Sequence, residues 1–472
     1  MIVEAPAGAG APSRSDARWI AALALEVRLA VVIWAALRFP PTADGTYYQR
    51  IAERIAQGLG YTWLWPDGAV TFAAHYPIGY PAAIGAIYAL VGPHPWAAMV
   101  LNAALGALAA YAAHRLAARS GSRVVALVAG LLVALHPGLV AYTPALMTEG
   151  VVAALVIVAA ALAAWTRDRL ALPWIGVALL GLVLGLATLV RPQSLVLAPL
   201  FAAIAVDGGL RRRAVAAALA TLVTLAICAP WTARNCVRMK RCALVSVNGG
   251  WNLLIGADAA STGAWSPVQV PDACREVYDE AEKDRCFGRA AQGYIAAHPL
   301  AWVGLAPSKL AATFDYAGAA GWYLHASNPG EFPDRAKVAL GVVETLFERV
   351  VLVLALGGMA RRPGLPGADE PRRRRLARLV VALVGAVSAL TLHAWIAYVA
   401  LVVVALLRGR ALVRGPVLFG ATAATVAATI ATHAVFFGAG RYSLVVFPLV
   451  AALAALAFAP TRADLGQTSP RL

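Results

Sequence analysis

Long apolar runs alternate with short polar loops along most of the chain. An α-helix needs about 20 apolar residues to cross the hydrocarbon core of a bilayer. This pattern predicts an all-α polytopic membrane protein. We predict about twelve membrane-spanning helices, near residues 19–38, 96–114, 123–144, 150–166, 172–190, 193–207, 214–230, 338–360, 376–392, 394–409, 415–435 and 442–460.

The composition agrees with a membrane protein, because 61% of the 472 residues are hydrophobic and only 14% are charged. Soluble domains carry about 25% charged residues. The first apolar run is too long for a signal-peptide core and lacks a small-residue cleavage site, so we expect no cleavable leader.

The net charge of +16 is spread over short loops, which encodes membrane orientation and does not indicate binding to nucleic acid. In the predicted topology, 22 of the 40 Lys and Arg residues and only 7 acids lie on one side. By the positive-inside rule that side is the cytoplasm, and both termini lie there. Residues 77–91 form a shorter apolar run with Pro and Gly. Counting it as a span would reverse every later basic loop, so we interpret it as a re-entrant or interfacial helix.

Three regions follow from this topology. Residues 1–230 form an N-terminal transmembrane module, whose first outer loop covers residues 39–95. Residues 231–337 form a mixed extracytoplasmic loop domain, with short β-like runs and a helix over 285–297. Residues 338–472 form a C-terminal transmembrane module.

Four of the five cysteines lie in the predicted outer domain: Cys236, Cys242, Cys274 and Cys286. An even number of cysteines on an oxidising face predicts two disulfides. Three pairings are possible, and short loops favour Cys236–Cys242 with Cys274–Cys286. The alternative is a zinc site, but there is no CxxC pair or nearby His to support it.

Charged residues at the outer ends of the predicted spans are candidates for chemistry. Asp44 follows the first span in a loop rich in aromatic residues, where a carboxylate is a candidate catalytic group. Spacing alone favours a helix N-cap for Asp44. Glu149 either caps the next helix near its positive N-terminus or is a second carboxylate beside Asp44. Arg191 and Arg441 are either structural residues at the membrane surface or phosphate ligands.

Several motifs, in a specific order, resemble one enzyme class. They are Asp44 with two tyrosines and IAERIAQGLGY, then HYPIGYPAAIGAIYALVG, PALMTEG, GLATLVRPQSL, PWTARN with VSVNGGWNLLIG, AAHPLAWVGLAPSKL and GRYSLVVFPLV. The chain resembles membrane glycosyltransferases of the GT-C superfamily. It is most similar to bacterial relatives of the dolichyl-phosphate-mannose protein mannosyltransferases and of the aminoarabinose lipid A transferase.

The resemblance implies a GT-C fold and inverting transfer of a hexosyl or pentosyl group from a polyprenyl-phosphate donor at the outer leaflet. Asp44 matches the first-loop acid, which implies a general base, and Glu149 matches the second-loop acid. The other implied site residues are Arg191, Lys309 and Arg441 for the lipid phosphate, and Tyr47, Tyr48, His75 and Tyr76 for the sugar or acceptor.

Asp44 is followed by Gly45 and not by a second acid, which departs from the metal-dependent relatives. We therefore predict no required metal, although a divalent cation held by Asp44 and Glu149 stays an open alternative.

The implied partners are a polyprenyl-phosphate-linked sugar donor, the lipid bilayer and an acceptor that is a glycan, a lipid or a protein. We expect a bacterial inner-membrane location with an extracytoplasmic active site. The alternative function is a polytopic transporter or flippase of lipid-linked or envelope precursors. A transporter favours related repeats and broken helices in mid-membrane, and no convincing internal repeat is visible.

Overall fold

The computed structural model describes residues 12–119, 122–169, 172–257, 260–362, 370–391 and 393–459. Two of the predicted inner basic residues, Arg462 and Arg471, lie outside these residues. The α-helices in the described part are α1 (Arg14–Ala35), α2 (Asp44–Ala56), α3 (Gly79–Val91), α4 (Pro95–Ala117), α5 (Arg123–Ala134), α6 (Pro137–Ala141), α7 (Thr148–Asp168), α8 (Pro173–Val190), α9 (Leu197–Ala205), α10 (Leu210–Arg238), α11 (Gly249–Ile255), α12 (Glu280–Ala297), α13 (Pro299–Gly304), α14 (Ala306–Phe314), α15 (Ala319–Ser327), α16 (Asp334–Arg361), α17 (Arg372–Thr391), α18 (Ala394–Leu407), α19 (Arg410–Arg414), α20 (Val417–Val435) and α21 (Phe447–Ala454). Short 3₁₀ helices cover Pro192–Val196, Asp272–Cys274, Gly440–Val445 and Ala455–Phe458.

Each predicted span overlaps described helix, although most boundaries differ by a few residues. Two of the runs differ more clearly. The run at 123–144 is divided, because α5 ends at Ala134 and α6 begins at Pro137. Proline lacks an N–H group and is favoured at the first position of a helix. The run at 214–230 is longer than predicted, because α10 continues through Pro230 to Arg238. The predicted boundary at residue 230 therefore falls inside a helix.

Five described helices are long and apolar enough to cross a membrane: α4, α7, α8, α10 and α20. Shorter apolar helices cover Gly79–Val91, Arg123–Ala134, Pro192–Ala205, Ala394–Leu407 and Phe447–Phe458. The long helix α16 carries Glu344, Glu348 and Arg349 within its apolar stretch. Length and apolar character alone thus select fewer than the twelve predicted spans.

Close helix packing builds the core of the bundle. The helices α8 and α10 meet at Gly181 and Gly185, as the spacing of small residues suggests. A Cβ atom on Gly181 would lie 2.8 Å from the carbonyl oxygen of Ala220, and one on Gly185 would lie 2.7 Å from Cβ of Ile227. Glycine at both positions therefore allows the two helix backbones to approach.

The first outer loop contains α2, a β-hairpin and α3. Strands β1 (Thr62–Leu64) and β2 (Val70–Phe72) are antiparallel, with Thr62 opposite Phe72. The short apolar run at 77–91 forms α3, as expected for a helix there. The β-like runs predicted for 231–337 were wrong, because the described part of that segment contains no strand and has only the isolated bridge between Ala264 and Gly438.

The C-terminal end of α10 contacts residues 239–337, which we call the outer segment after their predicted location. Trp231 Nε1 donates a hydrogen bond to the Val245 carbonyl at 2.7 Å, and Thr232 Oγ1 donates to the Leu244 carbonyl at 2.8 Å. The guanidinium of Arg234 donates to the carbonyls of Tyr61 and Ala73, each at 2.8 Å. These contacts explain the PWTARN motif, whose side chains satisfy buried backbone carbonyls on both sides of the helix. As a result, α10 connects the bundle to the hairpin and to residues 243–245.

Both predicted disulfides are present. Cys236 is bonded to Cys242, and Cys274 is bonded to Cys286. The second bond ties the 3₁₀ helix Asp272–Cys274 to α12. Cys228 is a free, buried cysteine within α10.

Candidate active site

A cavity of about 940 Å³ lies where the helical bundle meets the outer segment. Its walls come from the first outer loop, the start of α7, the end of α8, helices α11 and α12, and the segment that joins α20 to α21. Four of the charged residues predicted from the sequence line it: Asp44, Glu149, Arg191 and Arg441. The structure therefore brings together residues that are far apart in the chain.

Asp44 is the first residue of α2, but it does not cap that helix. The N-cap is Ala43, and no side chain makes a capping hydrogen bond there. The capping interpretation favoured by spacing was therefore wrong. Asp44 Oδ1 accepts a hydrogen bond from the Tyr76 hydroxyl at 2.8 Å, and Oδ2 lies 3.0 Å from Nη2 of Arg441. The backbone of Ala43 has a φ of 51°, which is strained for a non-glycine residue.

Glu149 lies in the first turn of α7 and is buried. Its Oε1 atom lies 2.7 Å from Nη1 of Arg191 and 3.3 Å from Nε of Arg441. Its Oε2 atom accepts a hydrogen bond from the Tyr142 hydroxyl at 3.2 Å. No side chain caps α7, so Glu149 is not an N-cap. Its carboxylate contacts the two arginines and Tyr142.

Arg441 joins the two carboxylates. It comes from the 3₁₀ helix Gly440–Val445, just before α21. Its guanidinium reaches Asp44 and Glu149, while Arg191 reaches Glu149 from the end of α8. Both guanidinium groups also lie beside the ring of Tyr442, at 4.8 Å for Arg191 and 5.2 Å for Arg441. Two carboxylates and two guanidinium groups thus form one network. The side chain of Asp44 is 23% exposed, whereas that of Glu149 is 2% exposed.

Three of the four aromatic residues predicted for sugar or acceptor binding line the cavity: Tyr48, His75 and Tyr76. The rings of His75 and Tyr76 meet edge to face at 4.7 Å, and Trp251 of α11 lies 5.5 Å from His75. Burial lowers the pKa of His75, although Asp284 and Asp44 oppose the shift. This direction favours the neutral form of the imidazole.

Tyr47 and Lys309 do not line the cavity. Tyr47 stacks on Trp63 at 4.7 Å, inside the first outer loop. Lys309 is fully buried, and its Nζ donates to the carbonyls of Ala434 and Val435 at the end of α20. Burial lowers the pKa of Lys309 to about 8. Tyr47 was predicted to bind the sugar or acceptor, and Lys309 the lipid phosphate. The structure does not place either side chain at the cavity, because both pack against other parts of the protein.

Several residues that support the site were not identified from the sequence. The Tyr323 hydroxyl accepts hydrogen bonds from the backbone N–H groups of Leu146 and Thr42, at 3.2 and 3.4 Å. It thereby joins the loops that lead to Glu149 and Asp44. Tyr142, Tyr442 and Trp251 were likewise not predicted as site residues, although Tyr442 and Trp251 lie in two of the motifs that carry the resemblance.

The donor set at Asp44 and Glu149 suits a guanidinium better than a metal ion. Arg441 bridges the two carboxylates, so a positively charged group already pairs with both acids. The described residues contain no group of three or more His, Cys, Asp or Glu side chains arranged to hold a metal ion. The arrangement thus does not fit the open alternative of a cation shared by these two acids.

A comparison with protein families gives a match that begins in the first outer loop and ends just after the N-terminal module. Residues 75–233 match the family described as dolichyl-phosphate-mannose-protein mannosyltransferase. This confirms the resemblance predicted from the motifs. The matched range includes His75, Tyr76, Glu149 and Arg191, whereas Asp44 and Arg441 lie outside it. No curated protein sequence matches the chain.

Solved structures with a similar course of the chain include two proteins from different organisms. One is the oligosaccharyltransferase of Archaeoglobus fulgidus tethered with an acceptor peptide, with 14% identity, a TM-score of 0.47 and coverage of 94% of this chain and 49% of that one. The other is ArnT from Cupriavidus metallidurans bound to undecaprenyl phosphate, with 16% identity, a TM-score of 0.39 and coverage of 93% and 77%. The chain spans about half the length of the archaeal enzyme.

Proposed function

We propose that this chain is an integral membrane glycosyltransferase. It moves a sugar from a polyprenyl-phosphate donor to an acceptor hydroxyl at the extracytoplasmic face, with inversion at the anomeric carbon. The observation that carries the proposal is the contact of Arg441 with both Asp44 and Glu149 at the wall of the cavity. The family match over residues 75–233 supports the donor class.

Asp44 is the proposed general base. A carboxylate has about four lone-pair sites, so Asp44 can accept an acceptor hydroxyl while it holds Tyr76 and Arg441. As the acceptor oxygen attacks the anomeric carbon, its proton passes to Asp44. The bond between the anomeric carbon and the phosphate oxygen breaks on the opposite side, and polyprenyl phosphate leaves with that electron pair.

Arg191 and Arg441 are the proposed partners of the leaving phosphate. A guanidinium presents several N–H donors in a plane that matches phosphate oxygens. Both arginines line the cavity and remain partly exposed, so each has donor capacity beyond its carboxylate partner. Donors fixed in advance stabilise charge as it develops, without reorganisation during the reaction.

Glu149 has a positioning role in this proposal. Its side chain is 2% exposed and contacts Arg191, Arg441 and Tyr142. It fixes the two guanidinium groups and offsets the cost of burying them. The cavity opens between the bundle and the outer segment, so we place its mouth on the outer side of a bacterial inner membrane, with both termini in the cytoplasm.

The test replaces Asp44 by Asn in the native host. Envelope glycolipids, glycans and glycoproteins are compared by mass spectrometry among the wild type, Asp44→Asn and a deletion strain, at equal protein level. Asp67→Asn is the matched control, because Asp67 is an exposed acid in the hairpin turn of the same loop and does not line the cavity.

We expect Asp44→Asn to lose the same sugar that the deletion loses, while Asp67→Asn keeps it. The lost mass then identifies the transferred group. If the deletion loses a sugar and Asp44→Asn does not, the assignment of the base is wrong. If the deletion loses a glycan because its lipid-linked precursor is trapped at the cytoplasmic face, the transporter alternative replaces the proposed function.

A further inference from the structure

A row of polar side chains on α12 faces the cavity from the outer segment. Arg285, Arg289 and Gln292 line the cavity wall and are spaced by four and three residues. Residues at this spacing share one face of a helix. Neither the general base nor the proposed phosphate ligands belong to this helix.

Three arginines line this wall, and they differ in the acidic residues that they contact. Arg241 is paired with the buried Asp284 at 3.0 Å, and Arg285 lies 3.4 Å from Glu282, with both side chains about half exposed. Arg289 has no ion pair or side-chain hydrogen bond to any residue that the structure describes. An exposed pair such as Arg285 with Glu282 adds little energy and is readily exchanged for another anion. The wall therefore offers two guanidinium groups to a ligand.

The wall is held in a fixed position. Asp284 Oδ1 accepts the Trp251 backbone N–H at 3.0 Å, which joins α12 to α11. The two helices approach closely at glycine, since a Cβ atom on Gly250 would lie 2.7 Å from the Gly288 nitrogen. Cys286 on the same helix is bonded to Cys274. Binding of a ligand to these arginines thus requires little ordering of the backbone.

We propose that Arg285 and Arg289 form a subsite for an oxyanion, a phosphate or a carboxylate, carried by the acceptor. This inference rests on the proposed function and adds the chemical class of its acceptor. The hydroxyl that receives the sugar then belongs to a molecule with a negatively charged group, and the two arginines hold that group while the hydroxyl reaches Asp44.

The donor phosphate is a less suitable occupant of this subsite. The donor is anchored by its polyprenyl chain in the bilayer, and its phosphate leaves beside Arg191 and Arg441, which belong to the helical bundle. The helix α12 belongs to the outer segment and packs mainly on α11. Two anions of one reaction therefore have separate sets of cations, one in each half of the cavity.

The experiment measures transfer by the full-length protein in detergent. The acceptor is a solubilised envelope extract from the deletion strain, and the donor is the lipid extract of the same strain. Half-saturating amounts of each extract are determined for wild type, Arg289→Gln, the double variant Arg285→Gln with Arg289→Gln, and Arg289→Lys. Arg275→Gln is the matched control, because Arg275 is an exposed arginine of the outer segment that does not line the cavity.

We expect the double variant to need about tenfold more acceptor, since a hydrogen bond to a charged group is worth about 1.5 kcal/mol or more. The donor requirement stays unchanged, Arg289→Lys falls between, and Arg275→Gln behaves as wild type. Mass spectrometry of the product, before and after phosphatase treatment, distinguishes a phosphate from a carboxylate on the acceptor.

An unchanged acceptor requirement in the double variant, or a product without an anionic group, would overturn the subsite and leave the proposed function intact. A rise in the donor requirement alone would also overturn it, because the arginines would then act on the donor. If wild-type protein transfers no sugar while it is folded, the proposed function fails first, and the subsite fails with it.

Discussion

Arg441 forms an ion pair with Asp44 at 3.0 Å, although the two residues lie near opposite ends of the chain. The same guanidinium lies 3.3 Å from Glu149, so it connects the first outer loop with the start of α7. A single cation thus orients the proposed base and holds the buried acid beside it. We consider this contact the centre of the site.

Replacing Arg441 by Gln is expected to lower transfer by about 100-fold, as for loss of a fixed donor to developing charge. Arg441→Lys retains the charge but not the planar fork, so it recovers only part of the activity. The rate of sugar transfer at saturating donor is the measurement. Arg50→Gln on α2 is the control, since Arg50 is largely exposed and outside the cavity. Activity of Arg441→Gln within threefold of wild type contradicts the role.

Tyr323→Phe removes the oxygen that accepts the N–H groups of Leu146 and Thr42. A buried N–H left without a partner costs about 1–3 kcal/mol. The loops that lead to both carboxylates then lose a common anchor, and we expect kcat to fall about tenfold with little change in the donor KM. Tyr278→Phe is the control, because Tyr278 is 85% exposed. A variant that melts earlier but keeps full kcat would show that Tyr323 only stabilises the fold.

Glu280 predicts a pH dependence of stability. Burial raises its pKa to about 7 from an ordinary value of 4.5, even though Oε2 accepts the Ala74 N–H at 2.6 Å. The folded state binds the proton more tightly than the unfolded chain. The stability that Glu280 contributes is therefore complete below about pH 4.5 and is lost as the pH rises through about 7.

Thermal unfolding between pH 4.5 and 7.5 measures this effect in wild type and Glu280→Gln. We expect the melting temperature of the variant to fall less over this range than that of wild type. The exposed Glu276, replaced by Gln, is the control and should keep the wild-type slope. Parallel curves for wild type and Glu280→Gln would exclude the shifted carboxyl as the cause.

The disulfide between Cys274 and Cys286 is expected to stabilise α12. It closes a loop with a sequence separation of 12, for which the chain-entropy estimate is about 3 kcal/mol. Replacing both cysteines by Ser should lower the free energy of unfolding of the outer segment by about 2–3 kcal/mol, measured by tryptophan fluorescence. Cys228→Ala leaves both bridges in place and serves as the control. No loss of stability in the double variant would show that packing on α11 suffices.

Chelation of divalent ions is expected to leave transfer intact. The guanidinium of Arg441 already bridges Asp44 and Glu149. Activity after treatment with EDTA, with and without added Mg²⁺ or Mn²⁺, is the measurement. A loss that only the metal restores would show that these carboxylates bind a cation during the reaction.

The helices could be predicted because each is coded locally, by a long apolar run with polar ends. The contacts of the site could not, because they join distant segments. Asp44 shows the difference, since its sequence context predicts a cap while its partners, Tyr76 and Arg441, come from other elements. The resemblance to known enzymes identified Asp44, Glu149, Arg191 and Arg441 without showing that they touch.

Lys309 was predicted to bind the lipid phosphate but lies elsewhere, whereas two arginines of α12 line the cavity but were not predicted. Lys309 lies in a matching motif, yet it is buried against backbone carbonyls of α20 and is absent from the cavity wall. Arg285 and Arg289 read as ordinary surface charges of an amphipathic helix, because the sequence does not reveal which face of α12 meets the cavity. Only the packing of α12 on α11 determines that face.

In the proposed topology, the length of α10 sets the height of the site above the bilayer. Its 29 residues make a rod of about 44 Å, whereas the hydrocarbon core of a membrane is about 30 Å thick. The helix is thus about 14 Å longer than that core. Its C-terminal part carries Trp231, Thr232 and Arg234, which donate hydrogen bonds to the carbonyls of Val245, Leu244 and Ala73. In that topology, the length of this one helix determines the distance between the membrane surface and the cavity. An insertion of a full turn below Trp231 would raise the outer wall away from a donor that the lipid keeps in place.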